Sequence, residues 1–378
     1  MRILHTADWH IGKRLGLIDR RPEFEQVLDE VVEIAKDQKV DFAIVAGDLL
    51  DRAMPTFDSI QLAIDALLRL AEAAGEVVVI AGNHDSADLL AILGPLLSGR
   101  GITVVPRVAR PSDGGVVKVA GCNVAALPFL HQAEVVDFMT DTEDWFKGYA
   151  DKIRLLCKAL LADCDPGDIS ILTGHFFIDG AELGGGERAI HLGREYAATP
   201  QAIPPGVHYA ALGHVHKPQG IKGAAAPARY AGSLLQLDFS ERSHQKEVVI
   251  VDAEPGRPSK VSSVKLKSGR QLIRVEDALE ALQARAGEFG DAFLDVRVQT
   301  SGPVFGLADQ VRAFLPNAVM VQAVYERISA ADVVAGEAER PLHEAYAGFY
   351  SREHGVDAPA EVIEAFRFLE REVERAAS

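Results

Sequence analysis

Phe42-Ala-Ile-Val-Ala-Gly-Asp48-Leu-Leu-Asp51-Arg52 decides the reading of this chain, because five apolar residues run unbroken into a glycine and two carboxylates. A short uninterrupted apolar run reads as a strand buried on both faces. The glycine lets the backbone turn sharply off its end, and Asp48 then offers two oxygens at the turn. Alone, the run has an ordinary reading, a strand-to-helix turn whose Asp caps the helix.

The same arrangement recurs on either side of it. Ile3-Leu4 precedes Asp8-x-His10, Val77-Val-Val-Ile-Ala81 precedes Gly82-Asn83-His84-Asp85, Ile169-Ser-Ile-Leu172 precedes Gly174-His175, and Tyr209-Ala-Ala-Leu212 precedes Gly213-His214-x-His216. Phe24, Val27, Leu28, Val31 and Ile34 recur at helical spacing after Pro22, and Ala63, Ile64, Leu67, Leu68 and Leu70 do so further on. Strand-helix-strand alternation predicts an α/β sheet covered by helices. Ligands in such sheets gather at the carboxyl ends of the strands, where all five clusters fall. Singly, each cluster reads as a turn or a surface pair; five at successive strand ends describe a two-metal phosphoesterase. Hydrolysing a phosphate ester brings hydroxide to an anionic centre, and two divalent cations acidify water and neutralise the growing charge. A donor mix of His, Asp and Asn suits a borderline ion such as Mn2+, with Mg2+, Fe2+ and Zn2+ also admissible.

Composition sets the frame. The 378 residues are 48% apolar and 25% charged, ordinary for two or three globular domains. Cys122, Cys157 and Cys164 are odd in number and lack knuckle spacing, which argues against a disulfide framework or a zinc finger. Met1 leads through a short apolar stretch into the first ligand pair, leaving no room for a removable signal peptide. No uncharged apolar run is long enough for a bilayer, so a cytoplasmic protein without membrane contact is expected. The formal charge of −16 excludes a chain that tracks DNA on a broad basic surface. Any contact with nucleic acid must be local or shared with a partner.

Three segments are predicted: a first domain over 1–267, a small βαβαβ domain over 268–330 and a helical segment over 338–378. In the second, Gln271–Val275, Phe293–Val298 and Val319–Val324 read as strands. After an Ala- and Glu-rich stretch around Ala330–Arg340, the third holds two short helices parted by Gly355 and Pro359. Val362, Phe366, Leu369 and Val373 form an apolar stripe on the last helix.

The five clusters match the phosphodiesterase motifs of the calcineurin-like metallophosphoesterases, which this chain resembles. The opening Met1-Arg-Ile-Leu-His-Thr-Ala-Asp-Trp-His-Ile-Gly12, the segment Tyr230-Ala-Gly-Ser233 with Asp238-Phe239, the small domain and the helical tail are similar, more narrowly, to the bacterial SbcD family of nuclease subunits. The likeness spans essentially the whole chain and is tightest over 1–245. It implies a metallophosphoesterase-type β-sandwich flanked by helices, with a small α+β capping domain and a C-terminal helical pair. It implies two divalent ions, one among Asp8, His10, Asp48 and His216, the other among Asp48, Asn83, His175 and His214, with Asp48 as bridge. His84 would protonate the departing sugar oxygen, and Asp51 would be the carboxylate that fixes its tautomer. The implied partners are an SbcC-like SMC-type ATPase docked on the tail, double-stranded DNA ends and hairpins, and a second copy within a heterotetramer. The implied activity is an ATP-regulated 3′-to-5′ exonuclease and hairpin endonuclease.

Arg52 follows Asp51 and can reach a phosphate bidentately. Lys13 and Arg14, with Arg20 and Arg21 soon after, read as a basic loop at the rim that touches DNA backbone. Glycines 180, 184, 185 and 186 predict a mobile loop near the site, and they lack the Gly-Lys-Ser/Thr ending of a nucleotide-binding loop. A metallophosphatase or small-phosphodiester hydrolase is the alternative on the same fold; the extra domain and tail favour the nuclease. A scaffold that has lost its chemistry is disfavoured, because every ligand position and His84 are present.

Overall fold

The computed structural model describes residues 1–131, 148–165, 167–185, 187, 197–302, 304–325, 341–354 and 357–377. Each of the five apolar runs forms a strand: Arg2–Thr6, Phe42–Ala46, Val77–Ile80, Ile169–His175 and Tyr209–Gly213. The first three are parallel neighbours in one six-stranded sheet, in registers that pair Leu4 with Ala43 and Ile44 with Val78. Ile102–Val105 extends this sheet on one side. On the other, Glu247–Glu254 runs antiparallel to Arg2–Thr6 and pairs with Arg257–Lys265 at the edge. Ile169–His175 and Tyr209–Gly213 are parallel neighbours in a second six-stranded sheet, between Cys122–Leu127 and Ala228–Tyr230.

Side chains alternate across a strand, so runs without polar residues need an apolar partner on both faces. Leu4, Ala43, Val45, Val77 and Val79 pack with Phe24, Val27 and Leu28 of the Arg21–Gln38 helix and with Leu67 and Leu70 of the Phe57–Ala74 helix. The intervening Ile3, Phe42, Ile44, Ala46 and Val78 point the other way, onto Val124, Ile171, Tyr209 and Ala211 of the second sheet. The far face of that sheet takes Ile153, Leu156 and Leu160 from the Gly148–Leu161 helix. The layers are therefore helix, sheet, sheet, helix, which is the sandwich that the family likeness implies. Ile44 is 0% exposed between the sheets, and truncating it to Ala costs roughly 2–5 kcal/mol.

Local signals set the helix ends. Pro22 sits in the first turn of the Arg21–Gln38 helix, where its missing N–H has no partner to lose, and Lys39 ends the helix in the left-handed conformation. Thr56 caps the Phe57–Ala74 helix by accepting the N–H of Ser59.

The chain divides into two compact units. The first, Met1–Val298 with Gly306–Gln322, contains the sandwich and most of a three-stranded sheet ordered Leu272–Ala278, Phe293–Gln299, Ala318–Val324. The helices Leu279–Ala284 and Leu307–Phe314 lie in its connections, so the elements follow one another as βαβαβ. Leu272 and Phe293 pack there against Leu15 and Phe239. The second unit contains the helices Leu342–His354 and Ala360–Ala377. Tyr346 stacks on Phe366 with centroids 4.2 Å apart, and His343 Nδ1 meets Glu370 Oε2 at 2.7 Å. The expected stripe is divided: Val362 and Phe366 are half-buried, while Leu369 and Val373 are 57% and 68% exposed. The stretch around Ala330–Arg340, residues 338–340 of the tail segment, Gly355 and Gly186 lie outside the described residues. Among the described residues no helix is long and apolar enough to cross a membrane.

Candidate metal centre

All seven expected ligands come from the carboxyl ends of strands, four from the first sheet and three from the second. Asp8 and His10 follow Arg2–Thr6, Asp48 follows Phe42–Ala46 and Asn83 follows Val77–Ile80; His175 ends its strand, and His214 and His216 follow Tyr209–Gly213. The chain turns tightly to bring them together. Asp8, His10, Asp48 and His214 have φ of 51°, 48°, 52° and 99°, a region that non-glycine residues seldom adopt and that clusters at functional sites. Two glycines permit the approach. A Cβ on Gly82 would lie 2.1 Å from Asp48 Oδ1, and one on Gly213 would lie 2.0 Å from the Ala46 carbonyl oxygen.

The donors converge in two groups about Asp48. His10 Nε2 and His216 Nε2 face each other at 3.1 Å, and their nitrogens and an Asp8 oxygen lie within 4.8 Å of one another. Across the site, Asn83 Oδ1 is 3.0 Å from His175 Nε2 and 2.8 Å from His214 Nδ1. Asp48 Oδ2 stands between them, 3.5 Å from His10 Nε2 and 3.4 Å from His175 Nε2. His175 Nδ1 donates to the Ala46 carbonyl at 2.8 Å and His216 Nδ1 to Glu241 Oε1 at 2.9 Å, so each ring in its neutral form turns a lone pair on Nε2 to the centre. His10 Nδ1 and Asp51 Oδ1 are buried without a hydrogen-bond partner. Buried polar atoms are normally paired, and facing nitrogen lone pairs beside carboxylates are what cations stabilise. The donor set fits two divalent ions.

Electrostatics follow the same geometry. Burial opposes a charge on His175, yet Asp48 and Asp8 raise its pKa to about 9. Burial pushes Asp8 up to about 6. Asp48 is held well below the usual carboxylate range, because His175, His10 and His84 outweigh its burial.

His84 lies against this centre, its ring edge-on to His10 at 4.6 Å. Its backbone N–H donates to Asp48 Oδ1 at 2.7 Å. The expectation for Asp51 needs correcting. His84 Nδ1 is 2.7 Å from the Asp51 main-chain carbonyl, which can only accept, so the ring carries its proton on Nδ1. The Asp51 carboxylate instead lies 3.6 Å from His10 Nδ1 and 3.3 Å from Lys13 Nζ. A sequence shows which residue is near, not which of its oxygens.

The rim differs from the expected basic loop. Arg20 is 1% exposed and binds both oxygens of Glu23 at 2.8 and 2.9 Å, so it is withdrawn from any DNA contact. The i, i+3 spacing at the helix start was the available signal. Arg21 pairs with Glu25. Arg14 and Arg52 line one cavity of about 230 Å³ beside Asp51. Of the glycine loop, Gly184 and Gly185 donate to Glu187, whose Oε1 also takes the His216 N–H at 3.0 Å.

Three further groups support the centre: Asp85, which closes the third motif, and Glu241 and Lys246, which no motif marks. Asp85 accepts the N–H groups of Leu49, Leu50 and Gly82 and so joins two ligand-bearing turns. Burial and the charge of Asp48 raise its pKa to about 6. Glu241, 0% exposed, backs His216 and pairs with Lys246 at 2.7 Å.

The calcineurin-like phosphoesterase family model matches residues 1–218. Over 391 aligned positions, covering 99% of both chains, the sequence is 30% identical to the SbcD subunit of nuclease SbcCD from Bacillus subtilis (strain 168). It is 31% identical over 280 positions to the Rhodobacter capsulatus protein of the same name, covering 68% of this chain and 67% of that one. It is 28% identical over 355 positions to that of Escherichia coli (strain K12), covering 87% and 85%. Likeness along the full length, over a sandwich whose strand ends bring these donors together, establishes that the chain belongs to the calcineurin-like phosphoesterase family and, within it, to the SbcD family of SbcCD nuclease subunits.

Proposed function

We propose that this protein is the nuclease subunit of an SbcCD-type complex, cutting phosphodiester bonds at double-stranded DNA ends and hairpins. The observation that carries the reading is the meeting of Asp8, His10, Asp48, Asn83, His175, His214 and His216 at the joint edge of two sheets, with His84 against them. A pair of divalent ions, Mn2+ by donor type and Mg2+ as the alternative, supplies an acidified water and charge neutralisation when bound.

The chain's own residues do the rest. His84 keeps its Nδ1 proton on the Asp51 carbonyl, so when protonated it has Nε2–H to deliver to the leaving sugar oxygen. Asp51 steadies His10 and Lys13 through its carboxylate. Arg52, with Lys13 and Arg14, binds phosphates flanking the scissile one. A net charge of −16 supports a local DNA footprint of this kind, with the remaining grip supplied by a partner. That partner is an SbcC-like SMC-type ATPase held by the helical pair within 338–378, with 268–330 acting as a cap over the nuclease domain 1–267. Two copies join in a heterotetramer in the cytoplasm, where ATP hydrolysis by the partner regulates 3′-to-5′ exonuclease and hairpin endonuclease action.

The test is to supply Mn2+ and compare end-labelled duplex DNA with p-nitrophenyl phosphate, using His84→Ala as control. DNA cleavage that His84→Ala abolishes is expected. Turnover of the small ester alone, with DNA left intact even beside the ATPase, would replace this reading with a metallophosphatase.

A further inference from the structure

Lys246 is an ammonium group 5% exposed inside the protein, a costly place for a charge unless every donor is used. All three are. Its Nζ donates to Glu241 Oε2 at 2.7 Å, to Ser233 Oγ at 2.7 Å and to the His216 main-chain carbonyl at 3.0 Å. Glu241 Oε2 also accepts the Leu237 N–H at 3.1 Å, and its Oε1 accepts His216 Nδ1–H at 2.9 Å. His216 is therefore fixed at two points: its ring by Glu241 and its backbone by Lys246.

The anchor and the ligand belong to different sheets. Lys246 immediately precedes the Glu247–Glu254 strand of the first sheet, whereas His216 follows Tyr209–Gly213 of the second. The ion pair thus ties His216 to the sheet that supplies its neighbours Asp8 and His10. The opposite cluster is backed differently, since His175 Nδ1 rests on the neutral Ala46 carbonyl. A carboxylate behind an imidazole fixes its tautomer and strengthens its donor nitrogen more than a carbonyl does.

We infer that Lys246 and Glu241 are positioning residues that act through His216 to set the affinity of the Asp8–His10–His216 position for a divalent ion, leaving the Asn83–His175–His214 position unchanged. This rests on the two-metal reading of the site. Neither residue touches the reacting atoms; Glu241 holds the Nδ1–H tautomer, and Lys246 keeps that carboxylate charged and in place.

The experiment titrates the full-length chain with Mn2+ by calorimetry and electron paramagnetic resonance, and records the ring nitrogens of His216 by 15N NMR. In Lys246→Met one of the two dissociation constants rises about 10- to 100-fold, the other stays, and the His216 nitrogens move from the Nδ1–H pattern toward a mixture of tautomers. Glu241→Gln, nearly isosteric, carries the same expectation if Lys246→Met does not fold. The double variant, in which neither member of the pair is left buried alone, recovers stability and keeps the weakened constant. Both constants shifting together, or neither shifting with the His216 spectrum intact, would overturn the inference. Wild-type protein that takes up no Mn2+ would instead sink the metal reading on which it depends.

Discussion

His84 Nδ1 lies 2.7 Å from the main-chain carbonyl of Asp51, while the Asp51 carboxylate stands 3.6 Å from His10 Nδ1. The two halves of one residue serve two histidines. Despite burial, which opposes the charge, the neighbouring His10 ring and Lys13 hold the carboxyl at a pKa of about 2. As the general acid His84 sets one limb of the pH–rate profile; Asp51→Asn keeps the carbonyl, so that limb should stay where it is. Mn2+ affinity should fall, on the order of tenfold, through His10. A pH–rate profile with a parallel Mn2+ titration checks both; a displaced limb at unchanged affinity would make the Asp51 carboxylate the group that orients His84 after all.

His84 contacts the centre as well as the reaction path, since a ring nitrogen reaches within 4.8 Å of ligand atoms on His10 and Asp48. If it acts as an acid, His84→Ala lowers the single-turnover rate by roughly 10²–10⁴ and still binds two Mn2+. A stoichiometry of one would make it a ligand.

Protons and metal compete for His175. Its folded pKa of about 9 lies above the ordinary 6.5, so the protonated ring stabilises the metal-free protein fully below about pH 6.5, a contribution lost as pH rises through 9. Metal binding must expel that proton. Apparent Mn2+ affinity should therefore climb between pH 6.5 and 9, with proton release visible as a dependence of the calorimetric heat on buffer ionisation. Affinity flat across that window would contradict it.

Lys13 and Arg14 are the remaining candidates for phosphate contact on the first rim loop, now that Arg20 is accounted for by Glu23. Lys13 faces Asp51 at 3.3 Å and keeps a third of its side chain exposed. Replacing both with Ala should weaken DNA binding at low salt and reduce the slope of log affinity against log salt by about one per lost contact. An unaltered slope would leave them as solvated surface.

Removing residues 340–378 should abolish co-purification with the SbcC-like ATPase and leave Mn2+-dependent cleavage of short substrates intact. Leu369 and Val373 expose most of their apolar surface on the last helix, as a docking face requires. Persistent association after the deletion would place the partner elsewhere.

The legible part of this molecule is the part written in uninterrupted apolar runs. Phe42–Ala46 and Val77–Ile80 need no context to be read as strands, because both faces must be covered and no helix of that length would cover them. Their polar termini, with those of the three similar runs, name all seven ligand candidates. Cys122–Leu127 and Glu247–Glu254 end in no such cluster and escape the same reading. The division into two sheets therefore follows from the family likeness and not from periodicity. Glu241 and Lys246 are invisible in the sequence for a physical reason. A buried ion pair looks like two surface residues until the fold brings a third group, His216, to it from 25 and 30 positions away.

The left-handed backbone at Asp8, His10, Asp48 and His214 has a consequence for how this protein can change. Each such residue costs roughly 1–3 kcal/mol, so glycine at any of the four would relax the chain while deleting a donor. Selection for heat tolerance alone would push the rim toward sturdier, inert descendants. An active lineage keeps these four positions only while cleavage itself is under selection.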